Sequence, residues 1–136
     1  MTTLFYDLHD NLLKDIKALE IRLDFCLELK SFSKSYRGRY FIRTQKVVLY
    51  VFEDKSCITL RPYKEILKSC IHEVVHHLQY TDRCYKRIKG IMHNEAFWGL
   101  YEHYHDLAQS SGLLERRCHT IDNQKIELET SEGSCK

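Results

Sequence analysis

Two histidines and one glutamate at a fixed spacing are the residues of this sequence best suited to chemistry. His72, Glu73 and His76 form the pattern H-E-x-x-H. On an α-helix, residues four apart lie about 40° apart around the axis, so both imidazoles can reach one metal ion. Glu73, about 100° from His72, lies near enough to accept a proton from a metal-bound water. On a helix, the pattern therefore predicts a zinc centre with a general base beside it.

The sequence around this pattern has the periodicity of such a helix. Residues 63–80 carry an apolar stripe that consists of Leu67, Cys70, Ile71, Val74 and Leu78. Glu65, Ser69, His72 and His76 lie on the opposite side. The helix is therefore expected to pack one side on a core and to turn the other towards a cleft.

A catalytic zinc site needs a third protein ligand, and two candidates follow the motif. His93 and Glu95 both precede the apolar stripe of a last helix, predicted over about residues 94–110 and closed by Gly112. His93 lies four residues before Phe97 of that stripe and projects on its inward side. Glu95 lies about 160° from Phe97, on the polar side. Helical phase favours His93, with Glu95 as the alternative third ligand.

The rest of the chain predicts an α+β fold. Apolar residues at three- and four-residue steps from Leu4 to Leu19 indicate an N-terminal helix, and alternation over Ile21–Lys30 indicates a strand. Two further strands are predicted over residues 39–44 and 46–52, with a short edge strand over 57–60 and Pro62 at the start of the next helix. We expect a compact zincin-like domain over residues 1–112, with a small, mainly antiparallel sheet of three or four strands. Residues 113–136 read as a polar tail, with disorder left open.

Composition limits the class of protein. With 136 residues, 43% of them hydrophobic and 29% charged, the chain is expected to form one globular domain. It has no apolar run of the roughly 20 residues that a membrane span needs, and its start lacks the pattern of a signal peptide. The six cysteines form no C-x-x-C pair, which favours reduced thiols. We predict a cytoplasmic protein without membrane association, and leave a nuclear location open for a eukaryotic source.

Charge is unevenly distributed along the chain. Residues 30–89 carry fourteen basic and five acidic side chains, whereas the whole chain has a net charge of only +2. Lys34, Arg37, Arg39 and Arg43 alternate there with Tyr36, Tyr40 and Phe41. Basic and aromatic residues in this mixture suit the phosphates and bases of nucleic acid, so these four residues are candidate DNA contacts. The alternative is an ordinary solvated face.

These motifs resemble the SprT-like zinc metallopeptidases. The resemblance rests on His72-Glu73-x-x-His76, a basic loop, and His93-x-x-x-Phe97-Trp98, preceded by Tyr36-Arg37-Gly38-Arg39-Tyr40 and the strand residues Val47–Tyr50. It implies one Zn²⁺ per chain held by His72, His76 and His93, and a peptidase acting on proteins or peptides, including DNA-bound proteins. No zinc ribbon follows the core, so DNA targeting rests on the basic segment alone.

Each remaining candidate has an alternative role. Glu73 is expected to act as general base and then to protonate the leaving amine. Tyr101 or Tyr104 could stabilise the oxyanion, although tyrosines on an apolar helix face are more often core residues. His77 points away from the ligands, which favours a role behind the site or at the surface. The alternative function is a zinc-stabilised binding or regulatory module without catalysis, binding DNA through residues 30–89; the presence of Glu73 favours the enzyme.

Overall fold

The computed structural model describes residues 2–81 and 93–115, with side chains from residue 7 onward. Helices α1 (Thr2–Ala18), α2 (Tyr63–Thr81) and α3 (Glu95–Ser110) and a small sheet account for most of these residues. The strands are β1 (Cys26–Lys30), β2 (Gly38–Phe41) and β3 (Lys46–Tyr50). The predicted α+β class is confirmed, and the bounds of α2 and α3 lie within one residue of the predicted ones.

The order of the strands differs from a simple succession of hairpins. The sheet order is β1-β3-β2, in which β3 runs parallel to β1 and antiparallel to β2. The sheet is therefore mixed where a mainly antiparallel one was predicted. Residues 31–37 reverse the chain but leave a gap one strand wide, and β3 fills it. A strand inserted between two antiparallel neighbours must run parallel to one of them.

All four predicted strands are shorter than expected, and β2 and β3 end at Phe41 and Tyr50. The strand predicted from Ile21 begins only at Cys26, because its partner β3 begins at Lys46, which pairs with Cys26. The predicted edge strand over residues 57–60 is reduced to one bridge between Leu60 and Phe52. Alternating hydrophobicity is thus not sufficient for a strand where no partner backbone is in reach.

The core lies between the helices and one face of the sheet. Val47, Leu49 and Val51 point into it, and Val48, on the opposite face of β3, is also buried. β3 is therefore covered on both faces. The helices contribute, among others, Leu8, Leu12 and Ile16 from α1 and Ile66, Leu67, Cys70, Ile71 and Val74 from α2.

The end of α3 leads the chain back onto the core. Ser111 caps the helix, and Gly112 takes a positive φ of 78°, which a residue without a side chain adopts at little cost. A 3₁₀ helix, Leu113–Glu115, follows, and both of its leucines are buried. Packing on the core therefore continues to Leu114, two residues past the predicted domain end. The rest of the predicted tail, residues 116–136, and the basic connection, residues 82–92, lie outside the described residues.

Within the described ranges, no helix combines the length and apolar character that crossing a membrane requires.

Candidate metal centre

Three histidine side chains converge on one point between α2 and α3. The Nε2 atom of His93 lies 3.1 Å from Nε2 of His72 and 3.1 Å from Nε2 of His76. One ring nitrogen from each histidine lies within 4.8 Å of the other two. Among the described residues, these three side chains form the group that could hold a metal ion. His76 is buried, His72 is half-buried and His93 is exposed, so the cluster extends from the buried side of α2 to the protein surface.

The spacing of these nitrogens fits a tetrahedral metal ion. Zinc–nitrogen distances of 2.0–2.1 Å place two nitrogen ligands about 3.3 Å apart in a tetrahedron. Hydrogen bonding alone explains the cluster poorly, because His93 Nε2 carries at most one proton or one lone pair to share between two neighbours. Three imidazole nitrogens are a donor set that zinc accepts, and a zinc ion bound by three protein ligands would have a fourth position for water.

Burial keeps two of these imidazoles in the form that binds metal. It lowers the pKa of His72 to about 4, with a further contribution from the charge of His93. It likewise lowers the pKa of His76 to about 4, with contributions from His72 and His93. Both rings are therefore neutral at physiological pH, and neutral imidazole is the ligand form.

The start of α3 holds His93 in place. His93 itself precedes the helix, and the next residue, Asn94, is the N-cap, whose Oδ1 accepts a hydrogen bond of 2.8 Å from the backbone N–H of Phe97. The fully buried ring of Phe97 packs against all three histidines, with centroid distances of 4.9 Å to His72, 4.5 Å to His76 and 4.8 Å to His93. A local cap and one aromatic ring thus position the third histidine.

The alternative third ligand lies outside this cluster. Glu95 is exposed in the first turn of α3, and the group that converges contains His93 instead. Trp98 stacks on His93 at 5.7 Å and leaves 45% of its surface exposed. It forms one wall of the approach to the cluster.

Glu73 lies beside the histidines in a largely dry environment. Its side chain is buried, and its Cγ faces Gly38 of β2 so closely that a Cβ on Gly38 would lie 3.1 Å away. Burial raises the pKa of Glu73 to about 7, although the charge of Arg39 opposes this. A carboxyl group with a pKa near neutrality can both accept and return a proton.

The two candidate tyrosines occupy different environments. The Tyr101 ring lies 6.0 Å from that of His72 and is partly exposed. Burial and, to a smaller extent, the charge of Glu65 raise the pKa of Tyr101, so its hydroxyl keeps its proton. Tyr104 is buried and belongs to the core. Of the pair, Tyr101 is the one next to the metal centre.

Behind the metal centre lies a chain of polar contacts that sequence reasoning did not find. His77 is fully buried, its Nδ1 lies 2.8 Å from Tyr40 Oη, and its Nε2 lies 2.8 Å from Asp24 Oδ1. Burial, the largest single influence, raises the pKa of Asp24, but the hydrogen bond and charge of His77, the charge of Arg22 and a backbone hydrogen bond together bring the pKa below its ordinary value. His77 lies outside the group formed by His72, His76 and His93. No motif pointed to its partners, which lie 37 and 53 residues away in sequence.

The four basic candidates do not converge. Arg37 lies 4.0 Å from Glu65, and the Arg39 guanidinium is held between the rings of Tyr36 and Phe41 at 4.6 and 4.7 Å. Lys34 and Arg43 are exposed. The structure therefore places them as a dispersed basic surface, defined here as Lys34, Arg37, Arg39 and Arg43.

Comparisons with known proteins add one structural similarity. No family model matches the chain, and no curated protein matches it either. Among solved structures, the chain is similar to the metallopeptidase zymogen abylysin of Pyrococcus abyssi, with 17% identity and a TM-score of 0.45 over 81% of this chain and 97% of that one.

Proposed function

We propose that the chain is a zinc-dependent metallopeptidase that hydrolyses peptide bonds in proteins or peptides, of the SprT-like type that its motifs resemble. The observation that carries the proposal is the convergence of His72, His76 and His93 within one group beside the buried carboxyl of Glu73. Three histidines would hold one Zn²⁺ per chain and leave its fourth position for water.

The chain's own residues supply the proton transfers. Bound zinc would polarise the substrate carbonyl and lower the pKa of its water. Glu73 would take a proton from the attacking water as the new C–O bond forms, and would deliver it to the amine nitrogen as the C–N bond breaks. We assign to the protonated Tyr101 hydroxyl, whose ring lies 6.0 Å from that of His72, the role of hydrogen-bond donor to the developing oxyanion. Tyr104 is assigned to the core instead.

The competing function is a module in which zinc only fastens α2 to α3. Such a module needs the three histidines but not Glu73, and burying a carboxyl costs free energy that holding the metal does not require. Action on DNA-bound proteins is a separate extension, supported only by the basic surface. The peptidase and the zinc-stabilised module differ in one expectation: removing the Glu73 carboxylate lowers a reaction rate only in the peptidase.

The Glu73→Gln variant tests the proposal. We expect it to retain one zinc per chain, measured by elemental mass spectrometry, and to lose hydrolysis of an unfolded protein substrate by about 100-fold or more, measured by mass spectrometry of the products. Glutamine keeps the shape of the side chain, so the fold should persist. Equal rates in the zinc-loaded variant and wild type would contradict the proposal and favour the zinc-stabilised module.

A further inference from the structure

The contact chain behind the metal centre joins three parts of the fold. His77 belongs to α2, Tyr40 to the middle of β2, and Asp24 to the extended segment before β1. Because the Asp24 carboxylate can only accept, His77 Nε2 donates to it, and Nδ1 is left to accept from the Tyr40 hydroxyl. Every polar atom of the buried His77 ring therefore has a partner.

β2, the strand that carries Tyr40, is weakly held apart from this contact with His77. β2 has four residues and lies at the edge of the sheet, where only β3 pairs with it. Its second fixed point is the contact with α2, where the Tyr40 ring packs on His77 at 5.5 Å and on Tyr80 at 6.3 Å. The Tyr40–His77 hydrogen bond sets the position of β2 against α2 with a directionality that ring packing lacks.

The same face of β2 contacts the general base. Residues two apart on a strand point to one face, so Gly38 lies on the side of Tyr40. There Gly38 leaves space for Glu73, since a Cβ at this position would approach Glu73 Cγ and Leu49 Cδ2 at 3.1 Å and the Val48 carbonyl oxygen at 3.2 Å. A shift of β2 relative to α2 would therefore change the wall against which the Glu73 side chain rests.

We propose that Tyr40 and His77, anchored by Asp24, are positioning residues for Glu73: they fix β2 against α2 so that Gly38 confines the carboxylate at the metal centre. This inference rests on the proposed function. None of the three residues contacts the substrate or the metal in this role. They act through the placement of β2, so their loss affects the proton transfer more than metal binding.

The Tyr40→Phe variant is the sharpest test, because it removes the hydroxyl and keeps the ring. At a temperature where the variant is fully folded, we expect kcat to fall about tenfold with KM and zinc content unchanged, since small misplacements of a reacting group lower rates strongly. Asp24→Ala should act in the same direction. Asp24→Asn should restore most of the rate, because its amide oxygen can still accept from His77.

A double variant separates positioning of Glu73 from general damage. If Tyr40 acts through Glu73, adding Tyr40→Phe to Glu73→Gln should leave the residual rate unchanged within about twofold. Tyr36→Phe, which removes an exposed tyrosine hydroxyl just before β2, is the matched control and should retain wild-type kcat. Wild-type kcat in Tyr40→Phe, or a further tenfold loss in the double variant, would overturn this inference alone. A zinc-loaded wild type without hydrolysis would overturn the proposed function and this inference with it.

Discussion

The metal centre and the basic surface were both found in sequence as clusters of chemically suggestive residues, and they fold very differently. Side chains of the metal centre come from two elements and meet within one group of 4.8 Å, partly out of water. The side chains of the basic surface are spread along residues 34–43 and are exposed. Two of them, Arg37 and Arg39, contact other side chains of the same protein. Convergence and loss of water distinguish a reactive site from a charged face, and sequence spacing alone cannot tell them apart.

The largest expected effect is on metal binding, from His93→Ala. Removing one of three ligands should weaken zinc affinity by at least about 100-fold, because even the loss of a group that only orients a ligand costs 10–100-fold. Competition with a zinc chelator measures this directly. The melting temperature of the zinc-loaded protein should fall as well, since metal binding contributes to folding.

Glu95→Ala is the matched control for His93→Ala. Glu95 is exposed on the first turn of α3, two residues after His93, and should leave zinc affinity unchanged within about twofold. Weaker zinc binding in Glu95→Ala than in His93→Ala would assign the third ligand to the glutamate and contradict the geometry of the site.

A smaller effect is expected on catalysis, from Tyr101→Phe. Removal of one hydrogen-bond donor to an oxyanion lowers kcat by about 100-fold or more in a preorganised site. Because the metal would share that role here, we expect kcat of Tyr101→Phe to fall by about tenfold to 100-fold. Zinc content should not change. Tyr104→Phe, in the core, serves as control through steady-state kinetics, and an equal loss of kcat in both variants would remove Tyr101 from the mechanism.

A further prediction tests whether the basic surface binds DNA. If it does, replacing Lys34 and Arg43 together by alanine should flatten the dependence of log K on log salt by about 0.9 for each lost phosphate contact. Fluorescence anisotropy with duplex DNA over a salt series measures this slope, and zinc content should stay at one per chain. Absence of wild-type binding at low salt would leave this surface as a solvated face.

Sequence patterns predicted the helices better than the sheet, for a physical reason. The limits of α2 and α3 follow from local periodicity and from capping residues such as Asn94. The mixed sheet depends on where β3 inserts, and strand pairing between distant segments leaves little trace in a single sequence. The start of β1 at Cys26 illustrates this, because it is set by Lys46 on another strand.

The site shows the same division between local and distant information. His72, Glu73 and His76 follow from one helical motif, and His93 was favoured by extrapolating helical phase beyond the actual start of α3. Its inward direction nevertheless agrees, because the Asn94 cap and the Phe97 ring fix the residue just before the helix. The contacts of His77 with Asp24 and Tyr40 could not be predicted, since only the tertiary fold brings them together.

The smallest expected effect comes from Arg39→Ala. The exposed Arg39 side chain places its guanidinium over the rings of Tyr36 and Phe41, and an exposed cation–π contact contributes about 0.5–1 kcal/mol, so the free energy of unfolding should fall by about 1 kcal/mol. Arg39→Lys should recover part of this loss, because lysine keeps the charge but not the planar stacking. Urea denaturation measures the change, while zinc content stays at one per chain. A loss of zinc in Arg39→Ala would show that the metal centre depends on these contacts of Arg39. The contrast between the metal centre and the basic surface would then no longer hold.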